Sequence, residues 1–176
     1  MIAPGADAGD RPVTDLAELV RGVIDGNVYM TLGTADETGR PWVSPVYYVA
    51  DAWRDLYWIS SPDVTHSRNL ARRPEVGIVV FDSRAPVGTG GSHAVYLAAT
   101  AAVVPDAEIE GGMAVYAGGT DIGARAFTAA DVRPPSPYRL YRATVAEYSV
   151  LCPRETGERC GPHGLAHDHR TEVVLG

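Results

Sequence analysis

The stretch from Tyr57 to Phe81, YWISSPDVTHSRNLARRPEVGIVVF, contains side chains that suit the binding of a phosphate group. Thr65 and Ser67 supply hydroxyls, and the Arg68 guanidinium can form two parallel hydrogen bonds to phosphate oxygens. A helix that begins here would add free N–H groups and a partial positive charge. The same pattern is also typical of a helix start that is merely capped by a hydroxyl. Both interpretations stay open on these residues alone.

Elements on either side of the phosphate-binding candidates would hold them in place. Leu56 to Ile59 is apolar and aromatic, which favours a strand, and the polar residues 60–63 end it. Thr65, or Asp63 before it, is expected to cap a helix through Ala71. The helix must stop there because the residue before Pro74 is disfavoured in the helical conformation.

The rest of the chain is predicted to form strands separated by glycine and proline turns. Apolar residues at helical spacing predict one amphipathic helix from Thr14 to about Asp25, with Thr14 or Asp15 as its cap and Gly26 as its end. Pro45 inside a strand indicates an edge or a bulge, where a missing N–H does no harm. The further predicted strands are Asn27 to Ala35, Trp42 to Ala50, Val76 to Phe81, Ala94 to Val104 and Tyr138 to Leu151, with a glycine-rich loop over 83–92 and helical material over 105–132. This pattern favours a mainly β fold with flanking helices, a small barrel.

The composition indicates one globular domain and excludes several classes of function. The 176 residues are 45% hydrophobic and 21% charged, which provides material for a full core. A formal net charge of −7 and a pI near 5.1 argue against nucleic acid or an anionic membrane as a partner. All 15 basic residues are arginine, which excludes P-loop and Schiff-base chemistry. Residues 1–13 are expected to be a flexible arm, and with neither a signal peptide nor a membrane span the expected location is cytoplasmic.

The C-terminal segment CPRETGERCGPHGLAHDHR concentrates five side chains that can bind metals, namely Cys152, Cys160, His163, His167 and His169. Such a density resembles a metal or haem ligand set. The Cys-x7-Cys spacing differs from that of a zinc ribbon, however, and HxxxHxH outside a helix does not define a tetrahedral site. We therefore expect no metal, two free thiols, and an exposed tail over 154–176 that packs on the barrel or on a partner subunit.

Several separated segments together resemble one protein family. They are YWISS and TxxSRNLARRPEVGIVVF in the stretch described above, GRPWVSPVYYV before it, and FDSRAPVGTGGSHAVYLAATAAVV and PPSPYRLYRATVAEYSVLCPRE after it. These segments are similar to the pyridoxamine 5′-phosphate oxidase-like family, whose members are FMN-binding split β-barrels. The resemblance covers most of residues 14–153. It implies a split-barrel domain there, a homodimer, and an FMN-dependent oxidoreductase acting on an unidentified small molecule.

The resemblance also assigns cofactor-binding roles to individual residues. The strand residues Ser44, Pro45, Val46 and Tyr47 would lie against the isoalloxazine ring of FMN, and Ser60 and Ser61 would contact its ribityl or phosphate end. Thr65 and His66 occupy the positions of an Arg-Lys pair that binds the phosphate in the oxidases proper. Arg68, next to Ser67, is the expected replacement for that pair, and Asn69 is the polar residue behind it.

No catalytic residue is identified, because flavin chemistry requires from the protein mainly position and electrostatics. The candidates for the pocket wall are Tyr47, Tyr48, His93, Tyr116 and Arg125. The C-terminal DHRTEVVLG lacks the substrate-binding arginine and histidine motif of the oxidases proper, so pyridoxamine phosphate is not the expected substrate. Two alternatives remain open. One is an F420-dependent reductase whose cofactor tail meets Arg72, Arg73 and Arg84, and the other is a non-catalytic flavin- or haem-binding protein with tail histidines as axial ligands.

Overall fold

A computed structural model describes residues 15–84, 94–119, 126–152, 159–160 and 163–176. Within these ranges the elements are α1 (Leu16–Asp25), β1 (Tyr29–Ala35), β2 (Pro41–Tyr47), β3 (Val49–Asp51), β4 (Asp55–Ser60), α2 (Thr65–Leu70), β5 (Glu75–Phe81), β6 (Ala94–Val103), α3 (Ile109–Gly118), β7 (Arg139–Leu151) and β8 (Arg170–Val173). Short 3-10 helices at Asp106–Glu108 and Ala129–Val132 flank α3. The N-terminal arm, most of the glycine-rich loop, His93 and Arg125 lie outside the described residues. Among the described helices, none is both long and apolar enough to cross a bilayer.

The described strands form one antiparallel sheet in the order β2-β1-β5-β6-β7-β4-β3, with β8 paired to β7. The 13-residue β7 pairs with β6, β4 and β8, and its register against β6 shifts between Ala98 and Ala99. Such a bulge bends a sheet locally. The predicted mainly β fold with flanking helices is therefore confirmed. The predicted edge position of Pro45 is also confirmed, because β2 is the terminal strand of this order.

The main apolar core lies against the inner face of the sheet. Trp58 of β4 and Tyr141 of β7 are fully buried and stack with ring centres 5.4 Å apart. The helix α1 adds Val20 and Ile24 to the same core, and Asp15 caps it by accepting the Ala17 N–H at 2.9 Å. A second apolar cluster forms where α3 covers β4 and β7, and it includes Tyr57, Met113, Tyr116 and Leu140.

The strand predicted from Trp42 to Ala50 is interrupted at Tyr48. The Tyr48 N–H donates to the Val28 carbonyl at 3.1 Å, and its buried phenol donates to the Ile24 carbonyl at 2.6 Å. The chain therefore leaves β2, which pairs with β1, and enters β3, which pairs with β4. One continuous run of β-forming residues thus provides the strands at both ends of the sheet order, β2 and β3.

The start of α2 also differs from the expectation. Val64 is the N-cap residue, and it makes no side-chain capping bond. Neither Thr65 nor Asp63 caps the helix, because Thr65 already lies inside it and Asp63 lies in the preceding turn, where its N–H donates to Ser61 Oγ at 3.2 Å. The predicted caps were wrong, and α2 is held in place by its buried residues instead.

Candidate functional site

A chain of hydrogen bonds joins β2, α2 and β4 through predicted cofactor-binding residues. The Trp42 indole N–H donates to Ser44 Oγ at 3.0 Å. Ser44 Oγ lies 3.1 Å from His66 Nδ1, and His66 Nε2 lies 2.9 Å from Ser60 Oγ. Ser44, His66 and Ser60 are each half-buried, so a ligand can reach them. We call these three residues the Ser-His-Ser chain.

The local sequence explains why the three side chains meet. Ser44 and Val46 lie on the face of β2 that is turned inward, as the alternation of a strand requires. Ser60 is the last residue of β4, and His66 is the second residue of α2. The helix is anchored over β1 because buried Asn69 donates to the buried Thr34 hydroxyl at 3.0 Å. This anchor fixes His66 between the two serines.

Burial lowers the pKa of the His66 imidazole below its usual value of 6.5, so the ring is neutral at pH 7. A neutral imidazole has one N–H and one acceptor nitrogen. If Nε2 carries the hydrogen, it donates to Ser60, Ser44 donates to Nδ1, and the Ser60 hydroxyl hydrogen is free for a ligand. If Nδ1 carries the hydrogen, it donates to Ser44, Ser60 donates to Nε2, and the Ser44 hydroxyl hydrogen is free. If His66 is protonated, both nitrogens donate and both serine hydrogens are free. Each state therefore leaves at least one hydroxyl donor for a ligand, and an anionic ligand favours the state with two.

Arg68 is the fourth residue of α2, and its side chain reaches back to the first turn of the helix. One guanidinium nitrogen donates to the Asp63 carbonyl, and a second lies 3.4 Å from Thr65 Oγ1. The exposed side chain therefore bends back over the first turn of the helix. No carboxylate within the described ranges forms a salt bridge with Arg68, so its charge is available to an anionic ligand.

The other predicted site residues have different surroundings. Ser67 and Asn69 are buried at 4% and 6% exposure, so they face the interior and not a ligand on the Arg68 side. Val46 is a core residue at 8% exposure. Pro45 is exposed on the edge strand, and Ser61 stabilises the turn before α2. The structure thus joins Ser44, His66 and Ser60 in one hydrogen-bonded chain and places Thr65 next to Arg68 on α2, whereas Val46, Ser67 and Asn69 are buried.

The tyrosines proposed for a pocket wall are engaged within the protein. Tyr47 donates to the Gly119 carbonyl at 2.7 Å and packs edge-on against Tyr116, with ring centres 5.8 Å apart. Burial raises the pKa of Tyr47 and raises that of Tyr116 to about 12. Burial also raises the pKa of Tyr48, which belongs to the core. These phenols are therefore protonated at neutral pH.

The small residues of the strand predicted from Ala94 to Val104 indicate that a second surface approaches it closely. A groove of about 640 Å³ opens on the outer face of β1, β5, β6 and β7, and small residues such as Gly33, Gly77 and Ala98 line it. Arg170 borders this groove and lies over the Tyr96 ring, 3.8 Å from its centre. The alanine-rich β6 was the available signal for this surface.

The described part of the tail is largely exposed and packs on the barrel, because it returns to the sheet as β8. Cys152 before the tail and Cys160 within it are both buried. Cys152, Cys160, His163 and His169 converge, whereas His167 is not among them. The signal that sequence reasoning missed is the short Cys-x2-His spacing of Cys160 and His163, followed by Gly164.

Comparison with known proteins connects this geometry with one family. The family model described as Pyridoxamine 5′-phosphate oxidase matches residues 16–152. Comparison with curated proteins gives no match.

Solved structures show the same fold. A haem-binding protein from Mycobacterium smegmatis is similar, with 22% identity, a TM-score of 0.63 and coverage of 93% of this chain and 59% of that one. A FAD-binding protein from Mesorhizobium loti has 23% identity, a TM-score of 0.54 and coverage of 76% and 92%. A protein of the pyridoxinephosphate oxidase family from Clostridium acetobutylicum has 10% identity, a TM-score of 0.55 and coverage of 90% and 94%. The split-barrel fold is thereby confirmed.

Proposed function

Because the chain belongs to the pyridoxamine 5′-phosphate oxidase family, we propose that it is an FMN-dependent oxidoreductase acting on a small molecule. The observation that supports the proposal is the Ser-His-Ser chain, which joins three elements at positions where the resemblance expects flavin contacts. Arg68 follows His66 by two residues on α2, and its guanidinium lies over the start of the helix. The hydroxyl donors of the Ser-His-Ser chain and a guanidinium on the same helix suit a ligand that has both a polyhydroxylated tail and a phosphate.

The donor set fits FMN in its chemistry. Ser44 and Ser60 would hold polar groups of the cofactor with the hydroxyl hydrogen that His66 leaves free. Arg68 and Thr65 would bind the phosphate, since arginine presents a planar pair of N–H groups to its oxygens. When bound, the flavin supplies hydride transfer. The residues of this chain would orient the cofactor, exclude water around Ser44 and Ser60, and hold a proton on His66 while the phosphate is present.

The two alternatives receive unequal support. An F420 tail would need arginines whose charge is not already paired, but Arg72 pairs with the Glu37 carboxylate at 3.8 Å, whereas Arg73 donates only to the Glu37 carbonyl at 3.0 Å and keeps its charge for a ligand. Arg84 pairs with Asp82 at 3.6 Å. A non-catalytic haem-binding protein is the second candidate, because the similar structure from Mycobacterium smegmatis is a haem-binding protein.

We also propose that the protein is a homodimer through the outer groove. Its small residues Gly33, Gly77 and Ala98 allow close approach of a second surface. Two larger side chains are also 60% exposed nearby. Val43 borders the groove, and Tyr29 lies on the same strand as Gly33. An apolar surface of this kind is typical of a contact between proteins. Light scattering of the cofactor-bound protein at micromolar concentration tests this, and a monomer would contradict it.

A cofactor titration tests the proposed function. Apoprotein is titrated separately with FMN, F420 and haemin, and binding is followed by flavin fluorescence or absorbance. We expect FMN to bind most tightly, and a Ser44→Ala, Ser60→Ala double variant to bind it more weakly. Thr100→Ala is the matched control, because it removes an exposed hydroxyl of β6 that belongs neither to the Ser-His-Ser chain nor to the outer groove. Tight haemin binding without FMN binding would support the second candidate instead.

A further inference from the structure

Four metal-binding side chains meet where the tail joins the sheet. The ligand atoms of Cys152, Cys160, His163 and His169 all lie within 4.8 Å of one another. Cys152 and Cys160 are 9% and 1% exposed, whereas His163 is exposed and His169 is half-buried. The site is thus lined by buried sulfurs and can be entered from the histidine side.

The backbone holds these residues in position from two directions. Cys152 follows β7 and His169 precedes β8, and the Cys152 N–H donates to the His169 carbonyl at 2.9 Å, directly beyond the paired Leu151 and Arg170. The Gly164 N–H donates to the Cys160 carbonyl at 2.6 Å, which holds Cys160 close to His163. Gly164 has a φ of +65°, a conformation that glycine adopts without strain.

Distances between the ligand atoms are close to those of a tetrahedral zinc site. With Zn–S bonds of about 2.3 Å and Zn–N bonds of about 2.05 Å, tetrahedral geometry requires about 3.6 Å between S and N and about 3.3 Å between two nitrogens. His163 Nδ1 lies 3.6 Å from Cys152 Sγ, 3.2 Å from Cys160 Sγ and 3.1 Å from His169 Nε2. The two sulfurs, 2.8 Å apart, would separate by about 1 Å around the ion.

The orientation of the histidines suits a shared cation. His169 Nδ1 lies 3.0 Å from the His167 carbonyl, so Nδ1 carries the hydrogen and Nε2 faces the cluster. His163 Nδ1 lies within 3.6 Å of that Nε2 and of both sulfurs. A cation at the centre would accept all four lone pairs. The hydrogen bond from His169 to a carbonyl is also the usual orienting contact of a metal-binding histidine.

We propose that Cys152, Cys160, His163 and His169 bind one zinc ion. Two thiolates and two imidazoles in tetrahedral array select zinc among common metals, and the two thiolate charges neutralise the dication. Four protein ligands leave no open position, so the site is structural and not catalytic. A two-iron cluster with cysteines on one iron and histidines on the other would hold the two pairs apart, whereas here all four ligand atoms lie within 4.8 Å of one another.

Zinc at this position would fasten β8 to the barrel. β8 is four residues long, pairs with β7 alone among the described strands, and buries only Val173. Arg170, directly after the ligand His169, lies over Tyr96 at the border of the outer groove. The ion would therefore fix one wall of that groove. This role is separate from the proposed flavin chemistry and does not depend on it.

Metal analysis of the full-length protein tests the proposal. Protein purified without chelators is expected to contain one zinc ion per chain by plasma mass spectrometry. Cys160→Ser and His163→Ala are expected to weaken zinc binding at least about 100-fold in competition with a chromogenic chelator. Even the loss of a residue that only hydrogen-bonds a metal ligand lowers metal affinity about 10- to 100-fold. His167→Ala is the matched control, because it removes a neighbouring imidazole and keeps the carbonyl that His169 contacts. Its zinc content is expected to equal that of the wild type.

Cobalt keeps the proposal testable if a variant does not fold. Wild-type apoprotein titrated with Co²⁺ is expected to show tetrahedral ligand-field bands and thiolate charge transfer, both saturating at one ion per chain. Circular dichroism of the variants separates loss of metal from loss of fold. The proposal is overturned if His163→Ala retains full zinc affinity, if thiol titration of the purified protein finds a Cys152–Cys160 disulfide and no metal, or if the segment binds haem with a Soret band in place of zinc.

Discussion

Replacing Arg68 by alanine gives a sharp test of the phosphate position. The Arg68 guanidinium bends over the first turn of α2 towards the Asp63 carbonyl and Thr65 Oγ1, so it is already oriented before a ligand arrives. A hydrogen bond to a charged group contributes about 1.5 to 3 kcal/mol. Because this side chain is exposed and screened by solvent, we take the lower part of that range, about 1.5 to 2 kcal/mol. FMN affinity should therefore fall roughly 10- to 30-fold.

The assay compares FMN with riboflavin, which lacks the phosphate. Apoprotein is titrated with each flavin, and quenching of flavin fluorescence gives the two dissociation constants. Arg68→Ala is expected to weaken FMN binding and to leave riboflavin binding nearly unchanged, whereas Arg68→Lys keeps a point charge and should lie between wild type and Arg68→Ala. Arg72→Ala removes the same charge from a nearby exposed arginine that pairs with Glu37, and it is the matched control. An unchanged FMN-to-riboflavin ratio in Arg68→Ala, or an equal change in Arg72→Ala, would refute the position of the phosphate.

Two further substitutions test the packing of α3 and the ionisation of the candidate site. A Cβ at Gly112 would lie 2.8 Å from Leu140 Cδ2 and 3.0 Å from Tyr57 Cε1, so Gly112→Ala should destabilise the protein by about 1 to 3 kcal/mol in urea unfolding. Gly111→Ala, on the same helix with open space, should be neutral or stabilising by up to about 1 kcal/mol; equal effects would contradict the packing. Burial lowers the pKa of His66 in the folded state, so below pH 6.5 the unfolded state binds more protons than the folded state. The free energy of unfolding should therefore decrease as the pH falls below 6.5, and it should stop decreasing once the pH is below the folded-state pKa. His66→Gln should flatten this part of the stability profile, and an unchanged profile would show that His66 is not a buried neutral ring.

The sequence was sufficient for features that depend on neighbouring residues. Residues 60–63 end β4 as expected, Pro74 follows the end of α2, and Pro45 lies on an edge strand. Each of these rests on local backbone chemistry. The meeting of Ser44, His66 and Ser60 was only implied by resemblance, since it requires β2 and β4 to reach the same helix.

Other features depend on contacts between distant residues, which local patterns do not show. The break at Tyr48 is caused by hydrogen bonds to Val28, which lies just before β1, and to Ile24 in α1. The cysteine and histidine cluster requires β8, a strand too short for a periodic pattern to reveal. Once β8 pairs with β7, Cys152 and His169 become neighbours across the two strands. The pairing of the strands, and not the sequence spacing between the two cysteines, therefore brings the ligands together.

The absorption spectrum of the purified protein, followed by mass analysis of the released cofactor, decides whether this is an FMN protein. We expect the two bands of an oxidised flavin, a released mass equal to that of FMN, and bleaching of the longer-wavelength band on reduction. A Soret band with no flavin bands, or a released deazaflavin, would contradict the assignment of FMN to the site formed by Ser44, His66, Ser60 and Arg68.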